Sequence, residues 1–321
     1  MTLYLTTLLV YAAVDIIACI ALNLQFGVSG LVNFGFILFQ AAGAYTAAVL
    51  ALPPQSANAG FQQYVLGLQL PFPLPWIAGA LAGGLVAIPI GFVVLRKLRG
   101  DYQAITLLVI SIIANIVITN ARPVLNGAAG LSLVPQPLAD QIGTEAINTY
   151  EYQYAYVAIS LLCVGLVLFA ANRIANSPYG RSLRAMRENE VAAASLGKNL
   201  LAQKLTMFVV GGVMGGLSGA ILVGFTTFWA PAGWLYPETI VLFAAIIVGG
   251  RGNNLGAILG AILVPIGFFE ATRFMPNFGQ PGLIPAFQWV AIGTLILSFL
   301  WFRPKGVIPE QRRTFAKTSA D

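Results

Sequence analysis

The chain has 321 residues, 58% hydrophobic and only 9% charged, with a net charge of +6 and no histidine. A charged share so far below the roughly 25% of soluble domains places it in lipid, and the lack of histidine removes the commonest metal ligand and the usual general base near neutral pH. Cys19 and Cys163 both lie inside apolar runs, so no disulfide framework, metal site or cofactor is expected, and the basic balance reads as loop orientation rather than as a nucleic-acid surface.

Apolar runs near the roughly 20 residues that a helix needs to cross a bilayer fall at 3–22, 33–52, 76–95, 102–120, 153–171, 205–224, a glycine-interrupted pair at 238–248 and 255–270, and 286–302. The first run has no Lys or Arg ahead of it and no small-residue cleavage site after it, so it is expected to be a retained span rather than a signal peptide. The pattern predicts an all-α, polytopic transmembrane helical bundle of about eight to nine membrane segments. One transmembrane domain is expected over 1–302, with a long polar loop at 172–204 inside it and a basic tail at 303–321.

If every run crosses, the termini lie on opposite sides, and the loops sort by charge. Arg96, Lys97 and Arg99, then Arg173, Arg181, Arg184, Arg187, Lys198 and Lys204, then Arg303, Lys305, Arg312, Arg313 and Lys317 share one face; of the 17 basic residues only Arg122 and Arg273 fall opposite, with Arg251 undecided. The positive-inside rule then puts the C-terminus in the cytoplasm and the N-terminus outside. The run 238–248 is short, about 16 Å as a helix, so the pair around Arg251 is either crossing or re-entrant. Re-entry would carry Arg251 to membrane depth at about 2.5–3.5 kcal/mol, which favours crossing helices with Arg251 at the cytoplasmic end. Small residues four apart at Gly79/Gly83, Gly211/Gly215/Gly219, Gly212/Gly216 and Gly256/Gly260 predict close helix packing.

The long loop reads NRIANSPYGRSLRAMRENEVAAASLGKNLLAQK. Ser177 and Pro178 suit an N-cap and first helical residue. A surface helix should run to about Leu196, with Leu183, Met186 and Ala193 on one side and Gly197 as its stop. From the residues alone this is either a solvated basic loop or a docking helix for a soluble partner.

Here the sequence resembles a known family. SPYGRSLRAMRENEVAAASLG is similar to the cytoplasmic segment of branched-chain amino acid ABC importer permeases of the LivM type. LNLQFGVSGLVNFG with AGAYTAA, LRGDYQAI, GAAGL, IVGGRGNNLGAILGA and FRPKGVIPE match further family segments in the same order, over positions 22–309. The resemblance implies a permease subunit that translocates branched-chain or other neutral amino acids by alternating access in the cytoplasmic (inner) membrane. It implies a second permease subunit, two separate ABC ATPase subunits and an external solute-binding protein as partners; permeases for urea and short amides are relatives. It also implies that Gly180, Arg181, Arg184, Arg187, Glu188, Ala193 and Gly197 couple the permease to the ATPase. Lys198-Asn199-Leu200 departs from the family's usual hydrophobic-polar step.

Asp15, Asn23, Gln25, Asn33, Gln40, Asn115, Asn120, Asn253 and Asn254 lie in or beside spans. Polar groups in lipid must be paired or face a cavity. Most of the amides are expected to bond between helices, whereas Asp15 has no basic residue at its depth. Asp15, Gln25, Asn33, Gln40, Asn115, Asn253 and Asn254 are the candidates for a substrate pathway, which the glycine breaks at Gly27–Gly30 and Gly249–Gly256 would line. No P-loop, G-x-S-x-G, H-E-x-x-H or paired-Cys signature is present, so no catalytic residues are expected. An ion-coupled secondary transporter would need more intramembrane carboxylates than Asp15 supplies, and a channel would carry flux without an energy source.

Overall fold

The computed structural model describes residues 2–54, 62–138, 150–273 and 282–310. Its long helices are α1 (Thr2–Leu22), α2 (Ile37–Ala51), α3 (Leu74–Lys97), α4 (Gly100–Asn120) and α5 (Tyr150–Asn176). After two short helices, α6 (Pro178–Glu188) and α7 (Glu190–Ser195), come α8 (Leu200–Thr226), α9 (Tyr236–Gly249), α10 (Asn254–Ala261) and α11 (Leu283–Phe302). Eight helical stretches are long and apolar enough to cross a membrane; among the described residues the only β pairing is two isolated bridges. The chain is therefore a multi-pass helical membrane protein, as its hydropathy predicts.

Two spans differ from expectation. The run 33–52 yields a helix of only 15 residues, about 22 Å long and short of the roughly 30 Å hydrocarbon core. Its missing part is irregular: α1 continues as a π-turn, Asn23–Val28, and the chain then climbs without regular helix to Ile37. Asn33 causes part of this, because its side chain accepts from the Gly35 amide at 3.1 Å and competes with helix formation. In the other direction, the short run 238–248 is longer than it looks. Pro237 starts α9, a 3-10 turn at Pro231–Gly233 precedes it, and together they make a 19-residue stretch, Pro231–Gly249. α10 continues through a π-turn, Ile262–Phe268, to Arg273.

The packing centre is the seam of α2, α3 and α8, where the spaced glycines interlock. A Cβ on Gly43 would overlap the backbone of Gly216, and one on Gly83 the carbonyl of Gly212. Backbones that close gain dispersion contacts that larger side chains would prevent, the main attraction between helices in lipid.

Loops gather at two ends. At one, Gln62 bonds to Ser132, the Val65 amide donates to the Val124 carbonyl at 3.1 Å, and Leu131 bridges Trp229. At the other lie α6, α7, the 250–253 turn and the chain after α11. Val307 and Ile308 donate to the Val248 and Gly249 carbonyls, both at 2.8 Å, so residues 303–310 are a packed strap rather than a free tail; 311–321, with Arg312, Arg313 and Lys317, lie outside the described residues. Arg251 sits at this second end, over the Phe26 ring at 5.2 Å. Burial and the Arg187 charge push its pKa down while Glu310 pulls it up, and a guanidinium stays charged throughout.

Candidate functional site

α6 forms where the sequence places it. The Ser177 hydroxyl accepts from the Gly180 amide at 3.1 Å, Pro178 opens the helix, and Leu183 and Met186 are fully buried. The run to Leu196 is not one helix, however. Asn189 takes an extended conformation, ends α6, and accepts from the Ala192 amide at 3.0 Å to cap α7, the local side-chain bonding that makes Asn a poor mid-helix residue. The departure at Lys198-Asn199-Leu200 has a local reason too: Asn199 caps α8 by accepting from Ala202 at 3.0 Å.

The seven residues assigned to coupling divide by direction. Gly180 and Ala193 are buried, and a Cβ on Gly180 would strike the carbonyls of Ile174 and Ala175. Gly197 turns the chain out of α7 with a positive φ of 74°. Arg181 and Glu188 are exposed. Arg184 and Arg187 face inward: Arg184 Nε donates to Glu310 Oε1 at 2.7 Å and its Nη1 to the Ala175 carbonyl at 3.0 Å. Arg187 Nη2 donates to Glu310 Oε2 at 2.8 Å, and its Nη1 to the Gly27 carbonyl. Lys204 pairs with Glu190 at 2.8 Å, tying α8 to α7. The outer face of the hairpin carries two bare apolar residues, Val191 at 77% and Leu196 at 78% exposure.

Arg187 lies over the place where the two glycine breaks meet. A Cβ on Gly27 would strike the Gly252 amide. Asn23 holds both breaks, its Oδ1 accepting from the Gly252 amide at 2.9 Å and its Nδ2 donating to Asn254 Oδ1 at 3.0 Å; Asn254 donates in turn to Asn172 at 2.8 Å. Gln25 donates to the Phe208 carbonyl and accepts from Asn33, both at 3.0 Å. These bonds fasten the two breaks together at this end of the bundle.

A cavity of about 310 Å³ opens further up the same helices, bordered by Tyr11, Asp15, Gln40, Trp229 and Glu238. Tyr11 packs edge-on against Phe225 near the end of α8 remote from α6, with ring centroids 6.1 Å apart. Of the seven pathway candidates, only Asp15 and Gln40 reach the cavity. Gln25, Asn33 and Asn254 join helices; Asn115 donates to the Pro231 carbonyl at 2.8 Å and Asn253 to the Pro309 carbonyl at 3.1 Å, so both fasten loops. Glu238 and Glu310 carry no signal in the sequence: they look like ordinary loop-end acids until the fold sets them beside Asp15 and Arg187.

A family model described as "Branched-chain amino acid transport system / permease component" matches residues 4–300. The chain is similar to the high-affinity branched-chain amino acid transport system permease protein LivM of Escherichia coli, 31% identical over 92% of this chain and 68% of that protein. It is similar also to the probable LivM and LivH permeases of Methanocaldococcus jannaschii. The first is 26% identical over 96% of this chain and 94% of the relative; the second is 21% identical over 93% and 90%. No solved structure matches the chain significantly. By these matches along nearly its whole length, the chain belongs to the permease components of branched-chain amino acid ABC transport systems.

Proposed function

We propose that this subunit moves branched-chain or other neutral amino acids inward across the cytoplasmic membrane by alternating access, driven by two ATPase subunits that dock on α6 and α7. A second, homologous permease completes the pathway, as the paired LivM and LivH relatives suggest, and an external binding protein delivers the solute. The N-terminus lies outside and the C-terminus in the cytoplasm. That orientation is supported by the basic residues that flank α6 and the 303–310 strap.

The observation that carries the reading is the two-sidedness of the α6–α7 hairpin. Outside, Val191 and Leu196 stand bare beside Arg181 and Glu188 at a solvent-facing loop, where water-exposed apolar side chains mark a partner surface. Inside, Arg187 holds the Gly27 carbonyl and, through Glu310, the strap against Gly249. A push on the outer face thus reaches both breaks.

The test is ATP-driven leucine uptake by the reconstituted assembly of both permeases, both ATPases and the binding protein. Uptake should require internal ATP, and Val191→Asp with Leu196→Asp should abolish it while releasing the ATPase subunits from the membrane complex. Leucine uptake by this chain alone on an ion gradient would sink the proposal in favour of a secondary transporter.

A further inference from the structure

The Asp15–Glu238 cavity has a chemistry that the coupling machinery does not use. Asp15 comes from the middle of α1 and Glu238 from the first turn of α9, and both border the cavity. Among the described residues neither forms an ion pair or side-chain hydrogen bond, and no described Lys or Arg lines the space. Asp15, an unpaired carboxylate in the middle of a spanning helix, is costly to keep unless it faces a cavity or a ligand, and such groups mark substrate and ion pathways; Glu238 stands exposed at the edge of the same cavity.

A second, independent feature points the same way. Gln40 is only 5% exposed, faces this cavity, and its amide makes no side-chain hydrogen bond among the described residues. That amide meets the cavity itself, so it stands ready to bond a polar ligand there. Trp229 borders the same space with its indole N–H buried and without a partner among the described residues. The remaining wall is apolar: Ile37, Leu222, Leu242 and Phe269. Acid pair, amide and apolar wall are the three surfaces that a zwitterion with an aliphatic side chain needs, in a volume at the small end of ligand pockets.

We infer that this cavity is a substrate station in which Asp15 and Glu238 receive the primary ammonium of an aliphatic amino acid, Gln40 its carboxylate, and the Leu222–Leu242 wall its side chain. The ammonium is the selected group, so uncharged urea and short amides are excluded. The inference rests on the transport reading above and narrows it.

The probe is a cysteine in the wall. Leu222→Cys is placed in a Cys163→Ser background, with buried Cys19 left in place, and its reaction with N-ethylmaleimide is followed in the full permease assembly in membranes. Leucine and 3-methylbutylamine should both slow labelling, whereas 4-methylpentanoate, which lacks the ammonium, and urea should not. Glu238→Gln should raise the leucine concentration for half-protection about tenfold or more, the loss of one charge-assisted bond; Glu238 is exposed, so the change leaves the fold intact. Asp15→Asn should do the same. Protection by 4-methylpentanoate equal to that by the amine, or leucine protection unchanged in Glu238→Gln, overturns the station while leaving ATP-driven leucine uptake untouched. Protection by urea, together with urea uptake and no leucine uptake, overturns both readings.

Discussion

Glu310 is the residue whose replacement isolates the strap from everything else. Glu310→Gln keeps the shape of the side chain and removes its charge. The two carboxylate oxygens accept from Arg184 Nε at 2.7 Å and Arg187 Nη2 at 2.8 Å; the amide keeps one acceptor and turns an NH₂ donor toward the other guanidinium, so one bond is weakened and the other lost. An ionic hydrogen bond contributes about 1.5–3 kcal/mol, so losing one of the two at the lower end of that range and weakening the other costs about 2 kcal/mol. The side chains of Arg184 and Glu310 are 29% and 16% exposed, which argues against a larger figure. The arginines stay tethered to the Ala175 and Gly27 carbonyls, so α6 itself should persist. About 2 kcal/mol is roughly thirtyfold in a local opening equilibrium. The assay is hydrogen exchange of the Val307 and Ile308 amides, which donate to Val248 and Gly249. Their exchange should rise about thirtyfold relative to amides in the centre of α8. Unchanged exchange in the strap would refute the clasp and remove the link from α6 to the 250–253 turn.

Arg187→Glu should weaken transport, and adding Glu310→Arg should restore part of it, whereas Arg181→Glu should lower ATPase co-purification without altering strap exchange. Gly216→Leu should prevent monodisperse extraction from membranes, because its side chain would enter the Gly79 and Ala80 carbonyls, while Gly165→Leu, with open space around it, should extract like the parent protein. Asn23→Ala removes the acceptor for the buried Gly252 amide and the donor to Asn254. It should cost about 1–3 kcal/mol, seen as a fall of a few degrees in the melting temperature of the purified assembly.

Sequence periodicity and local capping rules reach only part of this molecule. The spans are legible because lipid imposes length and apolarity on each one separately, and Ser177-Pro178 is legible because a cap is a local bond. The shortness of α2 is hidden: hydropathy averages over Asn33, Gly35 and the π-turn and cannot see that the backbone leaves the helix there. The break at Asn189 is written in one residue that suits a cap as readily as an exposed helix position. Least legible are the long-range pairs. Nothing near Glu310 in the chain announces Arg184 and Arg187, nor does Glu238 announce Asp15, because each partner arrives by tertiary packing. The same limit scatters the pathway candidates, since a buried amide that joins two helices and one that faces a cavity look alike in sequence.

The placement of Arg187 constrains how force can travel. Its guanidinium touches the carbonyl of the first break and the carboxylate that anchors the strap across the second, and the breaks themselves share Asn23 through Gly252 and Asn254. Hydrogen bonds of this kind fail over displacements well under 1 Å. A shift of α6 by even a fraction of a helical turn must therefore break the Arg187–Gly27 bond, drag Glu310, or carry both breaks with it. In the first two cases the α6 end of the bundle loosens; in the third it moves as a unit. On the transport reading proposed above only loosening joins the cavity to the α6 side, and it begins at either the Arg187–Gly27 bond or the Glu310 clasp. A disulfide between Gly30→Cys and Arg187→Cys, positions that already touch although Gly30 has a positive φ of 76°, should then arrest the residual leucine uptake that the reduced double variant, lacking the guanidinium, still shows. The same uptake with the bond formed would show that the gate opens elsewhere.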